Sequence, residues 1–136
     1  MQIGPLKLKA QLYCGDEIAM GPGKADLLEA IEREGSISRA GQAMGMSYRR
    51  TWLLVDEMNR CWVEKLVETV PGGANNRGAR LTAHGRDVLR LYRAIEEDLS
   101  AAADGAPLSR LLALLRAEPL AAQDHSASPQ AVRGSA

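Results

Sequence analysis

Residues 35–59, GSISRAGQAMGMSYRRTWLLVDEMN, leave this chain few ways to fold. Ala40 and Gly41 put small residues on the inner face of a short helix capped by Ser36. Gly45 falls where two helices meeting at a wide angle need a residue free of steric restriction. Met46 then serves as an apolar plug, and Ser47 is a cap residue for a second helix. In that second helix Thr51, Leu54, Val55, Met58 and Trp62 share one stripe at helical spacing. Its exposed leading turn carries Tyr48, Arg49 and Arg50. A helix braced from behind, with cationic and hydroxyl groups at its front, is the pattern of a helix-turn-helix that reads duplex DNA.

The flanking segments complete a winged helix. Leu6, Leu8, Ala10 and Leu12 alternate with polar or larger neighbours, predicting one strand over residues 6–13 with one face on a core. Residues 14–16 read as a turn, residues 17–21 as a short return strand, and Pro22-Gly23 as a break. A first helix is expected over residues 24–34, with Leu27, Leu28 and Ile31 inward and Gly35 as its left-handed cap. The helix-turn-helix follows, with helices reaching about residue 44 and spanning residues 47–61. Residues 66–70 and 79–81 are candidate strands around a glycine-rich tip, which makes the wing. Thr82 caps a long helix over residues 83–103, with Val88, Tyr92, Ile95 and Leu99 as a stripe that outruns the domain and suggests a partner helix. Pro107 opens a short amphipathic helix bearing Leu108, Leu111, Leu112 and Leu115, and Pro119 closes it. From residue 121 the composition predicts disorder. The fold class is therefore mainly α with small β, a winged helix-turn-helix with an N-terminal strand or hairpin. Its divisions are residues 1–103, 104–118 and 119–136.

Charge qualifies the reading. The formal net charge is +0, so bulk attraction to nucleic acid is weak. The charges are segregated, however. Arg39, Arg49 and Arg50 share an acid-free segment, and Arg77, Arg80, Arg86, Arg90 and Arg93 form a second basic zone. A neutral chain with this segregation can still present a basic face. The residues expected on DNA are Ser38, Arg39, Ser47, Tyr48, Arg49 and Arg50 from the two helices, and Asn75, Asn76, Arg77 and Arg80 from the wing. Arg49 suits guanine O6 and N7; a wing arginine suits a narrow minor groove. Trp52 lies one position off the stripe, and packing is the favoured reading for it.

Other classes find little support. The glycine loop lacks the Gly-Lys-Ser/Thr ending of a nucleotide cradle and leads into a strand. No carboxylate pair or nucleophile–base set stands out, so no catalytic residue and no cofactor is expected. Cys14 and Cys61 are far apart without a CxxC partner, and neither histidine lies near them, so no metal site is expected. A disulfide is not expected in a reducing compartment. No apolar run reaches a membrane span and the N-terminus lacks a signal-peptide core, so the expected location is cytoplasmic. A protein-interaction adaptor built on the same fold is the alternative function.

The run over residues 35–59 resembles the N-terminal DNA-binding domain of ModE-type molybdate-responsive transcriptional regulators. VPGGANNRGARLT is similar to that family's wing, and AHGRDVLRLYRAIE to its following dimer helix. The resemblance covers about residues 6–103; a broader one runs to LysR-type regulators. It implies a homodimer on double-stranded DNA, at a palindromic operator. It also implies a pair of molybdate-binding barrels beyond the DNA-binding part. The residues after 103 are too few for one barrel, so molybdate is not expected to bind this chain directly.

Overall fold

A computed structural model describes residues 1–71 and 77–122, with Arg77 described by its backbone. The chain divides into two compact units, Met1–Gly105 and Ala106–Ala136.

The first unit opens with two small antiparallel hairpins. β1 (Gln2–Ile3) pairs with β2 (Leu6–Lys7), turning at Gly4 with φ 56°. β3 (Leu12–Cys14) pairs with β4 (Glu17–Met20) across a bulge at Leu12/Tyr13. The single strand expected over residues 6–13 is thus two strands with irregular chain between them. Nor does its last part face a core: Leu12 and Tyr13 are exposed, and the buried residues of this hairpin are Ala19 and Met20 on β4. The alternation was real, but each short strand found a different hairpin partner. The β1–β2 turn at Gly4-Pro5 went unread.

α1 (Pro22–Glu34) begins one turn's edge earlier than the sequence suggested. Pro22 does not break the chain there; it occupies the first helical turn, where its missing N–H costs nothing. Leu27, Leu28 and Ile31 are fully buried, and Gly35 ends the helix at φ 70° with its N–H on the Ile31 carbonyl. α2 (Ile37–Ala43) and α3 (Tyr48–Cys61) follow. β5 (Val67–Pro71) and β6 (Arg77–Leu81) form the wing hairpin in unbroken register from Val67↔Leu81 to Pro71↔Arg77. The Ala79 N–H donates to the Gly35 carbonyl at 2.9 Å, which anchors β6 to the end of α1.

α4 (Ala83–Ala103) is capped by Thr82, whose hydroxyl accepts the Gly85 N–H at 2.9 Å. Gly85 itself lies against the wing's root: a Cβ there would stand 2.1 Å from the Leu66 carbonyl oxygen. Val88, Leu89 and Tyr92 of α4 join a single core with Met20, Leu27, Leu28, Ile31, Met58 and Leu81. Burial of this apolar area is the main favourable term in holding the unit together. The far half of the α4 stripe parts from that core. Leu91, Ile95 and Leu99 are 53%, 45% and 42% exposed.

In the second unit α5 spans Ala106–Ala113. It stops short of Pro119, so Leu115 does not belong to it, and Leu111 and Leu115 are exposed. The tail expected to be disordered from residue 121 falls almost wholly outside the described residues. Among the described residues no helix is long and apolar enough to cross a membrane.

Candidate nucleic-acid interface

The helix-turn-helix is built around one very close approach. Gly41 on α2 faces Thr51 on α3, and a Cβ at Gly41 would sit 2.1 Å from Thr51 Oγ1 and 2.9 Å from its Cβ. Thr51 is fully buried and donates its hydroxyl to the Ser47 carbonyl at 2.8 Å. Between the helices Gly45 adopts φ 71°. The Met46 N–H returns to the Gly41 carbonyl at 2.8 Å, closing the turn. Met44 and Met46 pack against the core from the turn. These contacts fix the angle at which α3 leaves α2.

Two hydroxyls then set the helix starts. Ser36 Oγ accepts the Arg39 N–H at 3.2 Å and Ser47 Oγ accepts the Arg50 N–H at 3.1 Å. Each satisfies one of the amide donors left free at a helix N-terminus. The inner stripe of α3 is as the spacing requires: Thr51, Val55 and Met58 are buried, with Leu54 and Trp62 packed at its edges.

The outer face carries the side chains singled out from sequence. Ser47, Tyr48, Arg49 and Arg50 are consecutive at the start of α3, and all four are exposed. Among the described residues no carboxylate lies within ion-pair distance of Arg49 or Arg50. Tyr48 is 65% exposed and tilts against Trp52, ring centres 6.1 Å apart. Trp52 itself is half-buried and packs against the core, the reading favoured for it. Its indole Nε1 is buried without a partner among the described residues.

On the first turn of α2, Ser38 is half-buried and Arg39 exposed. The Arg39 guanidinium is partly spoken for: Nη2 donates to the Glu34 carbonyl at 3.0 Å, at the end of α1. In the wing, Arg80 is exposed and 3.6 Å from Glu68 on the opposite strand. Such an exposed pair is worth little, so Arg80 can exchange Glu68 for a phosphate at small cost. Asn75, Asn76 and the side chain of Arg77 lie outside the described residues.

One contributor escaped the sequence reading. Asn59, in the last turn of α3, accepts the Leu66 and Val67 N–H groups on Oδ1 at 2.9 and 3.1 Å. Its Nδ2 donates to the Val67 carbonyl at 3.1 Å. This amide clamp fastens the root of the wing to α3. The signal was an amide side chain at a helix end followed eight residues on by a strand. Helical periodicity alone says nothing about it. The Trp62 indole adds a second brace, donating to the Ala19 carbonyl at 3.1 Å.

Behind this surface, Arg93 on α4 reaches Asp26 and Glu29 on α1 at 2.7 and 2.8 Å, and Glu96 on its own helix at 2.8 Å. The bonds to Glu29, then to Glu96 and Asp26, hold this guanidinium further into its charged range against the opposing effect of burial. Arg93 was grouped by sequence with the basic zone, yet here it is neutralised in place. Arg86 lies 3.9 Å from Glu32, and Arg90 3.4 Å from Asp87. Among the described residues Arg80, Arg86, Arg90 and Arg93 of the second basic zone each have an ion-pair partner, whereas Arg49 and Arg50 at the start of α3 have none.

An open cationic helix start, a tight glycine-mediated turn and a two-stranded wing rooted on the same helix define a winged helix-turn-helix protein. Comparison with known proteins gives the particular kinship: the chain is a relative of the ModE-type transcriptional regulators. It is 43% identical over 86 residues to the molybdenum transport protein ModE of Azotobacter vinelandii, covering 63% of this chain and 32% of that protein. It is 33% identical over 116 residues to the DNA-binding transcriptional dual regulator ModE of Escherichia coli K12, covering 81% of this chain and 42% of that one. The molybdenum-pterin-binding protein MopB of Rhodobacter capsulatus is 42% identical over 77 residues, 57% of this chain and 28% of MopB. The chain thus spans less than half the length of these relatives. No family model matches it.

Proposed function

We propose that this chain is a sequence-specific DNA-binding transcriptional regulator that occupies its operator as a homodimer. The observation that carries the reading is the exposed, unpaired cationic first turn of α3, held rigid by the Gly41–Thr51 contact behind it. A recognition helix enters the major groove by its N-terminal turns. Arg49 reads a base edge there, while Ser47, Tyr48 and Arg50 meet phosphate or neighbouring bases. Ser38 and Arg39 touch the backbone where α2 crosses it. Asn75, Asn76, Arg77 and Arg80 track the adjacent groove from the wing, adding affinity more than code. The similarity to a DNA-binding regulator of Escherichia coli supports the same assignment.

The second copy docks on α4. Leu91, Ile95 and Leu99 leave an apolar stripe open to solvent on a long helix. Pairing two such helices removes that stripe from water and presents two recognition helices to two half-sites.

The test uses duplexes selected from a randomised pool, with binding titrated at several salt concentrations. Arg49→Ala is expected to lose about 1–3 kcal/mol and to relax preference at one base position. Arg77→Ala should weaken every sequence alike and reduce the salt slope by about one. Selection that yields no consensus, or unchanged binding in both variants, refutes the assignment. Sedimentation checks the dimer: a monomer with and without DNA rules out the α4 pairing.

A further inference from the structure

Cys14 and Cys61 stand 47 positions apart in the chain, and spacing gave no reason to connect them. The fold brings them together. Cys14 ends β3 directly across from Glu17, its register partner at the start of β4. Cys61 ends α3, and its thiol lies 3.7 Å from the Glu17 carboxylate Oε2. The neighbouring Arg60 reaches the other oxygen of the same carboxylate at 3.3 Å, so the end of α3 is pinned on this hairpin. Glu17 therefore gathers both cysteines at one spot, Cys14 as its partner across the hairpin and Cys61 through the contact of its thiol with the carboxylate. Both cysteines are free; Cys14 is exposed and Cys61 half-buried.

We infer that Cys14 and Cys61 form a reversible dithiol–disulfide pair, a modification site for hydroperoxides that ties the β3–β4 hairpin to the C-terminal end of the recognition helix. The division of labour follows from the surroundings. Cys61 is half-buried at the end of α3, and burial, with Cys14 and Glu17 adding, pushes its thiol up. Exposed Cys14 is the sulfur that meets the oxidant. Its thiolate attacks one peroxide oxygen, the O–O bond breaks, and the other oxygen leaves as water after taking a proton. Cys14 is oxidised to a sulfenic acid. Cys61 sulfur then attacks the Cys14 sulfur and its proton leaves with the hydroxyl as a second water. Two thiols and one hydrogen peroxide thus give one disulfide and two waters. A dithiol reductant reverses the change by exchange. Two cysteines gathered at one glutamate need only local side-chain and hairpin movement to reach the ~2.05 Å of a sulfur–sulfur bond. The inference concerns the far end of α3 from the proposed DNA-reading turn, and does not rest on that reading.

The experiment treats the reduced full-length chain with equimolar hydrogen peroxide, alkylates the remaining thiols and analyses the product by mass spectrometry without reductant. The expected product is a single chain lacking both alkylatable thiols, with the Cys14 and Cys61 peptides joined, and dithiothreitol restores both thiols. The same oxidation in concentrated urea should run roughly tenfold slower or worse, because the fold supplies the proximity. Cys61→Ser should leave Cys14 as a sulfenic acid that dimedone traps, whereas Cys14→Ser should leave Cys61 largely unreacted. Chains joined through Cys14 alone, or Cys14 driven to sulfinic acid with Cys61 still alkylatable in the wild-type chain, overturn the inference. So does a disulfide that forms equally fast in urea.

Discussion

Replacing Gly41 by alanine tests the contact on which the helix-turn-helix depends, because the sign of the effect decides the matter. Alanine is the better helix former, so in an open helix position the change stabilises by about 1 kcal/mol. At Gly41 the new Cβ would stand 2.1 Å from Thr51 Oγ1, against an ordinary contact that begins at 3.4 Å. Rotating Thr51 gives no relief, since its Cβ would still be 2.9 Å away and does not move with the rotamer. The helices must therefore separate by several tenths of an ångström at the least. Thr51 is fully buried, and its bond to the Ser47 carbonyl would be disturbed by the same shift. Overpacking of this kind costs about 1–3 kcal/mol and the strained hydrogen bond about 1 more, which outweighs the helical gain. A net loss of roughly 2 kcal/mol should lower Tm by about 8–16 °C in a domain of this size. The internal control is Gly23, on the exposed side of α1, where a Cβ would meet nothing within 4 Å. Gly23→Ala should raise Tm by a few degrees. Thermal unfolding of both variants by circular dichroism reads the comparison. Adding Thr51→Ala to Gly41→Ala removes the 2.1 Å contact and leaves the 2.9 Å one, so the pair should recover part of the loss relative to the two single changes. If Gly41→Ala melts as high as Gly23→Ala, the close approach of α2 and α3 is wrong, and with it the support behind Arg49.

Two further outcomes follow from the buried polar groups. Tyr92 is 2% exposed, donates to the Ala10 carbonyl at 2.7 Å, and has its pKa pushed up from 10 to about 12, by burial first and then by Glu96. The folded state holds this proton where the unfolded chain has lost it, so the contribution is whole below pH 10 and disappears as the pH rises towards 12. Absorbance titration at alkaline pH should show one late phenol that is missing in Tyr92→Phe; a wild-type curve identical to the variant's refutes the placement. Arg93→Ala strands three carboxylates, one of them the buried Glu96, and should cost about 1–3 kcal/mol in urea unfolding at neutral pH. Lowering the pH to protonate those carboxylates should shrink the deficit, and a deficit that does not change with pH argues against the cluster.

Most helices were legible because their signals are local. Ser36, Ser47 and Thr82 cap the helices they precede, and Gly35 takes the left-handed conformation, since caps depend on residues three or four positions apart. The buried stripe Thr51, Val55 and Met58 likewise follows from helical spacing within one segment. The N-terminal strands were less legible. Strand pairing depends on a partner, and alternation over residues 6–13 cannot say that Leu6 turns back on Ile3 while Leu12 goes forward to Met20.

The same division holds for the site. Sequence alone determined that a cationic, hydroxyl-bearing turn would begin a helix braced by apolar residues, because cap, charge and stripe all lie within sixteen consecutive residues. Only the tertiary structure decided which arginines stay free. Arg93 is consumed by carboxylates from α1, more than sixty positions earlier in the chain, while Arg49 is left open. It also decided that Asn59 would clamp the wing and that two distant cysteines would gather at Glu17. Electrostatic pairing and hydrogen bonding act over a few ångströms of space, and neither charge nor reactivity can be assigned until folding has chosen the neighbours.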